Sequence, residues 1–297
     1  MPETSSKKTI WVIVFIVVLL ALSLIIWKVS SKPVPVPAPV EVVKKSEVTK
    51  SIIGQSVEKR DIEAYTYGTG PKHLLFVGGI HGGYEWNSVL LAYTFIDYLT
   101  AHPDFVPAGL TITIIPSANP DGVFEVTGKE GRFNSSDISI DAKILAAGRF
   151  NANKVDLNRN FDCKWQPKST WQSKTVSAGT AAFSEPETQA LRHYIATFKP
   201  AAAIFWHSQS NAVYASQCQD GILPGTLDLM NTYSAAAGYP AVKTFDAYVT
   251  TGAADDWLAS ENIPAITVEL KTHNTIEWDN NLKGIRAMVG YFENLLD

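Results

Sequence analysis

His81 and Glu85 stand four positions apart in the stretch Gly78-Gly79-Ile80-His81-Gly82-Gly83-Tyr84-Glu85-Trp86-Asn87. An imidazole and a carboxylate so close together suit a divalent cation such as zinc, which takes nitrogen and oxygen donors and keeps a position open at catalytic sites. His207 follows the apolar run Ala201-Ala202-Ala203-Ile204-Phe205-Trp206 and would complete a His, Glu, His set. Taken alone, a histidine there is as readily a satisfied structural residue. Glu269 closes Ala265-Ile266-Thr267-Val268. It is either a solvated rim charge or, facing a metal, the group that takes a proton from activated water. Asn158 and Arg159 offer amide and guanidinium donors, and arginine grips a carboxylate with a bidentate fork. Alone, this pair reads as a surface loop.

These residues need elements to hold them. The apolar run 74–77 reads as a buried strand ending in glycines, and 84–100 as the helix that follows. Residues 51–67 alternate and read as one or two edge strands; 110–115, 201–206 and 265–270 read as strands. Helices are expected over 227–237, 255–260 and 285–296. Another should run to about 198 from Ser184-Glu185-Pro186-Glu187, where Ser184 would cap, Pro186 would sit in the first turn and Glu187 would complete a capping box. The stretch 116–183 is loop-like and rich in Gly, Asn, Asp and Ser, and a loop that long is usually functional. Strands alternating with helices predict an α/β three-layer sandwich with a central mixed, mostly parallel sheet. In such sheets ligands bind beyond the carboxyl ends of the strands, where His81, His207 and Glu269 all fall.

The 297 residues are 46% hydrophobic with a net charge of −4, enough for one large domain and without the basic face a nucleic-acid binder needs. Six His and two Cys leave His and carboxylates to build any metal site. Residues 10–27 are apolar except for Ser23, with Trp11 and Trp27 at the ends, about long enough to cross a bilayer as a helix. A cleaved signal peptide would have a shorter apolar core and a small-x-small cut site. The expected organisation is a cytoplasmic tail over 1–9, a transmembrane anchor over 10–28, a Pro-rich extended linker over 29–50 and a catalytic domain over 51–297. Lys7 and Lys8 favour an inside amino terminus, which Lys28 and Lys32 oppose; the expectation is a single-pass protein with its catalytic domain outside the cytoplasm. In that compartment Cys163 and Cys218 invite a disulfide, with two free thiols as the alternative.

Taken together, the set resembles the zinc carboxypeptidases of the carboxypeptidase A/B type. The matching pieces are Gly78 to His81 with Glu85, Asn119-Pro120-Asp121-Gly122, Val155 through Phe161, Ser184 to Thr188, Trp206-His207-Ser208, Tyr248 leading to Gly252-Ala253-Ala254-Asp255-Asp256-Trp257, and Thr267 to Leu270. They occur in the family's order over roughly residues 73–271. The resemblance implies one zinc held by His81, Glu85 and His207, and metal-activated water with Glu269 as general base. It implies Asn158 and Arg159 on the substrate's terminal carboxylate, and Tyr248 closing over the bound end. Two departures stand out. The family motif has two residues between its first His and its Glu; here Gly82, Gly83 and Tyr84 intervene. Gly-Arg-Phe-Asn occurs twice, at Arg132 and Arg149, and Arg149 better resembles the placement of the family's oxyanion-stabilising arginine.

Asp255 occupies the position that sits at the base of the family's side-chain pocket, and an acid there implies a C-terminal Lys or Arg. The alternative makes Asp255 only a helix-cap residue beside Asp256. The implied function is zinc-dependent hydrolysis of the C-terminal peptide bond, releasing basic residues, by a monomer acting on peptide or peptidoglycan-peptide substrates. The alternatives are a cell-wall peptide carboxypeptidase or amidase that accepts a diamino acid, an N-acyl amino acid deacylase, and a non-catalytic peptide-binding ectodomain.

Overall fold

The computed structural model describes residues 5–30 and 48–295. Most of the expected linker, residues 31–47, lies outside them, as do 1–4 of the tail. Residues Ser5–Ser30 form helix α1. Among the described residues, however, no helix is long and apolar enough to cross a membrane, so the expected span over 10–28 is not found. The chain divides at Lys44/Lys45 into this amino-terminal unit and the body.

The body is organised by one eight-stranded sheet. Its strands are β1 (Thr49–Gln55), β2 (Asp61–Gly68), β3 (Lys72–Val77), β4 (Leu110–Ile115), β7 (Ala202–Ser208), β8 (Ala212–Ala215), β9 (Ala241–Val242) and β10 (Ala265–Leu270); β5 (Lys168–Trp171) and β6 (Lys174–Ser177) form a separate pair. The sheet order is β1-β2-β4-β3-β7-β10-β8-β9. The pairs β3/β4, β3/β7, β7/β10 and β8/β9 run parallel; β1/β2, β2/β4 and β8/β10 run antiparallel. The sheet is therefore mixed and mostly parallel, as expected.

Strand side chains alternate between the two faces. Leu74, Phe76, Ile204, Trp206, Ile266 and Val268 face one side. There they pack against α2 (Trp86–Ala101), α6 (Pro224–Ala237) and α8 (Trp278–Asn294). Leu75, Val77, Ala203, Phe205 and Ala265 face the other, against α5 (Pro186–Phe198) and α7 (Ala254–Ser260). These two cores make the three layers. The same two-residue period carries on past the cores: His207 follows Ala203 and Phe205, and Glu269 follows Ala265. Both side chains therefore leave the sheet on the α5/α7 face, and they sit opposite each other in the parallel β7/β10 register.

Three expectations about local structure need correction. Ser184 does not cap α5. Glu185 occupies the cap position without a side-chain cap bond, and Ser184 donates instead to the Glu185 carboxylate at 2.8 Å. Helix α8 begins at Trp278, a turn and more before the expected start at 285, because a polar stretch hides its first half from apolar periodicity. The stretch 116–183 is no plain loop. It holds α3 (Pro120–Thr127), α4 (Ala142–Ala147) and a hairpin of β5 (Lys168–Trp171) and β6 (Lys174–Ser177). Asn119 caps α3 by accepting from the Gly122 N–H at 2.9 Å.

Candidate active site

Strand β3 delivers the chain to His81, and a tight 3-10 turn, Gly82–Glu85, brings Glu85 back beside it before α2 begins. The two glycines make this turn fit. Gly82 has φ +48°, and a Cβ there would lie 2.4 Å from the Gly148 carbonyl oxygen, so a side chain is excluded on both counts. The additional residue between His81 and Glu85 is thus absorbed by the turn, and the carboxylate still reaches the imidazoles.

Together with His207, these residues form a buried triad whose donor atoms lie within 4.8 Å of one another. His81 Nδ1 is 2.7 Å from Glu85 Oε1, and His207 Nδ1 is 2.9 Å from Glu85 Oε2. The two Nδ1 atoms are 3.1 Å apart. The Ser208 N–H donates to Glu85 Oε2 at 3.2 Å, which fixes the carboxylate. On the far side of the ring, His81 Nε2 lies 3.3 Å from Asp156 Oδ1, a polar contact that is not a well-aligned hydrogen bond. A carboxylate at Nε2 draws the imidazole proton there and leaves Nδ1 as a lone-pair donor. Two imidazoles and a carboxylate, converging from buried positions on one cavity, are a donor set that fits zinc.

The charges around this corner are interlocked. Burial alone would raise the Glu85 carboxyl, but His81 and His207 outweigh it and hold it well below the usual carboxylate range. Burial likewise opposes ionisation of Asp156, and Arg149, Arg159 and His81 overcome it. Arg149 Nε donates to Asp156 Oδ2 at 2.9 Å, and its Nη1 lies 3.7 Å from Glu85 Oε1. The guanidinium also lies over the Trp171 ring, 4.6 Å from its centroid. Arg132, by contrast, is exposed and forks onto Asp97 at 2.8 and 2.9 Å. Of the two Gly-Arg-Phe-Asn arginines, the structure brings only Arg149 to the site.

Glu269 is half-buried, and its Oε2, which is buried, has no hydrogen-bond partner. Burial and the neighbouring Glu85 charge push its carboxyl up to about 8, against the opposing pull of His207 and Arg149. A carboxylate held near neutrality beside a metal site is suited to take up and release a proton.

These groups line one cavity of about 330 Å³ with Asn158, Arg159, Tyr248, Asp255 and Asp256. Every site residue expected from the sequence lies in that lining. Arg159 is buried, donating from Nε and Nη2 to the Thr170 carbonyl at 3.2 and 3.1 Å and from Nη1 to the Asn158 carbonyl at 2.7 Å. Burial pulls the Arg159 pKa down, offset by Asp156. Asn158 Oδ1 accepts from the Ala254 N–H at 2.9 Å, joining the arginine's turn to the start of α7. Gly252, at φ +70°, passes so close that a Cβ would sit 2.2 Å from the Arg159 carbonyl oxygen. Asp255 accepts from Thr267 Oγ1 at 2.9 Å, so it faces β10 and the cavity and is no simple helix cap. Burial and Asp255 push its neighbour Asp256 up to about 8. A disulfide joins Cys163 to Cys218, tying the segment after Arg159 to the one after β8.

Sequence reasoning misses some of the residues around the site. Asp156, behind the His81 ring, falls within one of the matching segments, and an acid two residues before Asn158 is itself a signal. Tyr84, Trp171 and His273 form a cluster, with Tyr84 edge-on to Trp171 at 5.1 Å and to His273 at 4.8 Å between ring centroids. Trp171 comes from the β5/β6 hairpin, which carries no strong strand signal.

The chain is similar to proteins of known activity. It is 25% identical over 238 residues to gamma-D-glutamyl-L-diamino acid endopeptidase 1 of Lysinibacillus sphaericus, covering 73% of this chain and 59% of that one. It is 31% identical over 131 residues to murein peptide amidase A of Escherichia coli K12, covering 41% of this chain and 50% of that one. It thus spans between half and three fifths of these relatives' lengths. The crystal structure of thrombin activatable fibrinolysis inhibitor superposes with a TM-score of 0.66 at 20% identity, over 83% of this chain and 69% of that one, which shows a shared fold. Residues 41–285 match the zinc carboxypeptidase family, peptidase M14, and with the triad described above they establish that the chain belongs to it.

Proposed function

We propose that the protein hydrolyses the bond to a basic C-terminal residue, Lys or Arg in peptides. The observation that carries this reading is the shared cavity: Arg159, Asp255 and Asp256 line the same space as the triad and Glu269. His81, Glu85 and His207 would hold the zinc, which would supply a Lewis acid to polarise the scissile carbonyl and acidify water. The chain's residues do the rest. Arg159, with N–H groups beyond those given to Thr170 and Asn158, grips the terminal carboxylate with the help of Asn158 and so demands a free C-terminus. Tyr248 closes over the bound end. Arg149, anchored by Asp156, directs Nη1 towards the triad, where charge develops on the carbonyl oxygen. Glu269 accepts the water proton on its carboxylate and returns it to the leaving amine. Asp255 makes its part of the cavity attractive to a cation.

A second reading keeps the chemistry and changes the substrate. The two bacterial relatives are named for murein peptides and for a γ-D-glutamyl-diamino acid bond, and a diamino acid presents the same amine to Asp255. A panel of N-acyl dipeptides ending in Lys, Arg or Leu, their C-terminal amides, and a γ-D-glutamyl-diamino acid peptide separates the readings. The proposal predicts cleavage of the Lys and Arg acids at least about tenfold faster than the Leu acid, and none of the amides. Asp255→Ser should erase the preference. Faster turnover of the γ-D-glutamyl peptide than of every dipeptide would favour the second reading. For location we propose an extracytoplasmic, membrane-attached monomer. Its supports are the apolar run 10–27 in the sequence and a cysteine pair suited to an oxidising compartment.

A further inference from the structure

His273 takes no part in the proposed chemistry, yet it lines the cavity. It lies on the loop after β10, edge-on to Tyr84. The charges that reach its ring are those of Glu85, His81 and Arg149, and not those of Arg159 or Asp255. With the terminal carboxylate on Arg159, the His273 side receives the acyl portion of the substrate.

The state of the ring follows from a chain of hydrogen bonds. Asn87 donates from Nδ2 to the Thr272 carbonyl at 2.7 Å and to the Thr275 carbonyl at 2.9 Å. Its amide orientation is thereby fixed, with Oδ1 turned to Ser208. Oδ1 can only accept, so the Ser208 hydroxyl donates to it, at 2.9 Å. That hydroxyl has one proton. At its contact with His273 Nδ1, 2.7 Å away, Ser208 Oγ therefore accepts, and Nδ1 carries the proton. In a neutral imidazole the other nitrogen, Nε2, is then an acceptor. Burial lowers the His273 pKa, which favours the neutral ring. Among the described residues Nε2 has no hydrogen-bond partner, and it is not one of the fully buried unpartnered atoms, so it is an accessible acceptor on a residue that lines the cavity.

We propose that His273 is a substrate-binding residue whose Nε2 accepts a hydrogen bond from an N–H on the acyl side of the scissile bond. The Asn87–Ser208 pair sets its tautomer. The site therefore selects N-acylated amino acid residues at that position, over acyl groups that offer no N–H. The inference rests on the hydrolase reading above but not on its choice of C-terminal side chain.

An enzyme-by-substrate cycle on the full-length zinc-loaded protein tests it. The substrates are benzoyl-Gly-Lys and its analogue with an ester oxygen in place of the glycine N–H, with the benzoyl-Gly-Leu pair run alongside. The wild type should lose about tenfold in kcat/KM on the analogue, mostly through KM, and His273→Phe should lose about tenfold on the amide and nothing further on the analogue. His273→Gln, which keeps an acceptor, should recover most of the loss on the amide. Zinc content should stay at wild-type level in both variants. Equal analogue penalties in wild type and His273→Phe would overturn the proposal, as would a His273→Gln no better than His273→Phe. Failure of the basic-residue reading is seen separately, as Leu substrates cleaved as fast as Lys ones with the cycle intact. Imidazole ¹⁵N shifts give an independent check: Nδ1 protonated and Nε2 bare near pH 7 in wild type, with the opposite tautomer contradicting the assignment.

Discussion

The cavity has two sides built by different means. The metal side rests on strand ends: His207 and Glu269 occupy paired positions of β7 and β10, and His81 and Glu85 lie on a turn directly after β3. The side proposed to bind substrate rests on irregular segments. Arg159 belongs to a short turn braced by the Thr170 and Asn158 carbonyls, Asp255 to the first turn of a seven-residue helix, and Tyr248 to the loop before it. A disulfide and close backbone approaches hold that side in place. The difference teaches where chemistry and specificity are stored. The sheet fixes the reaction, and the loops choose what is brought to it.

That division predicts how the two sides break. The largest effect belongs to the metal side. Glu269→Gln should lower kcat by at least about 10³-fold while zinc content and Tm stay near wild type. The carboxyl is pushed up to about 8, and the base works only when deprotonated, so activity is lost as pH falls through its acid limb. A bound dication pulls the other way, which places that limb below about 8. Glu269→Gln should abolish the limb along with the rate. Near-normal turnover would remove Glu269 from its role and with it the claim that the sheet carries the chemistry.

On the substrate side, Arg159→Gln should act on binding. We expect KM for a free-acid peptide to rise on the order of 100-fold through loss of the charge-assisted fork, with a smaller change in kcat. A variant that lost kcat alone would blur the two sides into one. The smallest effect concerns stability. Asp256 is pushed up to about 8 in the folded protein, above its ordinary value of 3.8. Between those values the unfolded chain has released the proton and the folded one keeps it, so this group's contribution to stability declines as pH rises through that window and levels off above it. Asp256→Asn, which keeps an acceptor for the Gln217 N–H, should therefore raise Tm relative to wild type by more at pH 8 than at pH 4. An equal shift at both values would show that Asp256 is not held protonated.

The same contrast explains what could be read in advance. The metal side was legible because apolar runs announce strands, and the residues just beyond them fall at one sheet edge. The parity that turns His207 and Glu269 to one face is a property of the strand itself. The tight turn at Gly82–Glu85 was only partly legible: paired glycines signal permissive backbone, but only the close approach of Gly148 shows why no side chain fits. The substrate wall was least legible. Trp171 and His273 lie far apart in sequence, on a short hairpin and a loop, and Tyr84 alone bridges their rings. Nothing local in either segment announces the meeting. Ser184 shows the opposite failure, a good local capping signal overridden because its hydroxyl bonds the neighbouring Glu185.

The central claim is that His81, Glu85 and His207 hold a catalytic zinc. Metal analysis of the purified full-length protein, read beside its peptidase activity before and after chelation, tests it most directly. The account predicts one zinc per chain, loss of activity on chelation with recovery on adding zinc back, and loss of both metal and activity in His207→Ala. Full activity with less than about half an equivalent of zinc would contradict it.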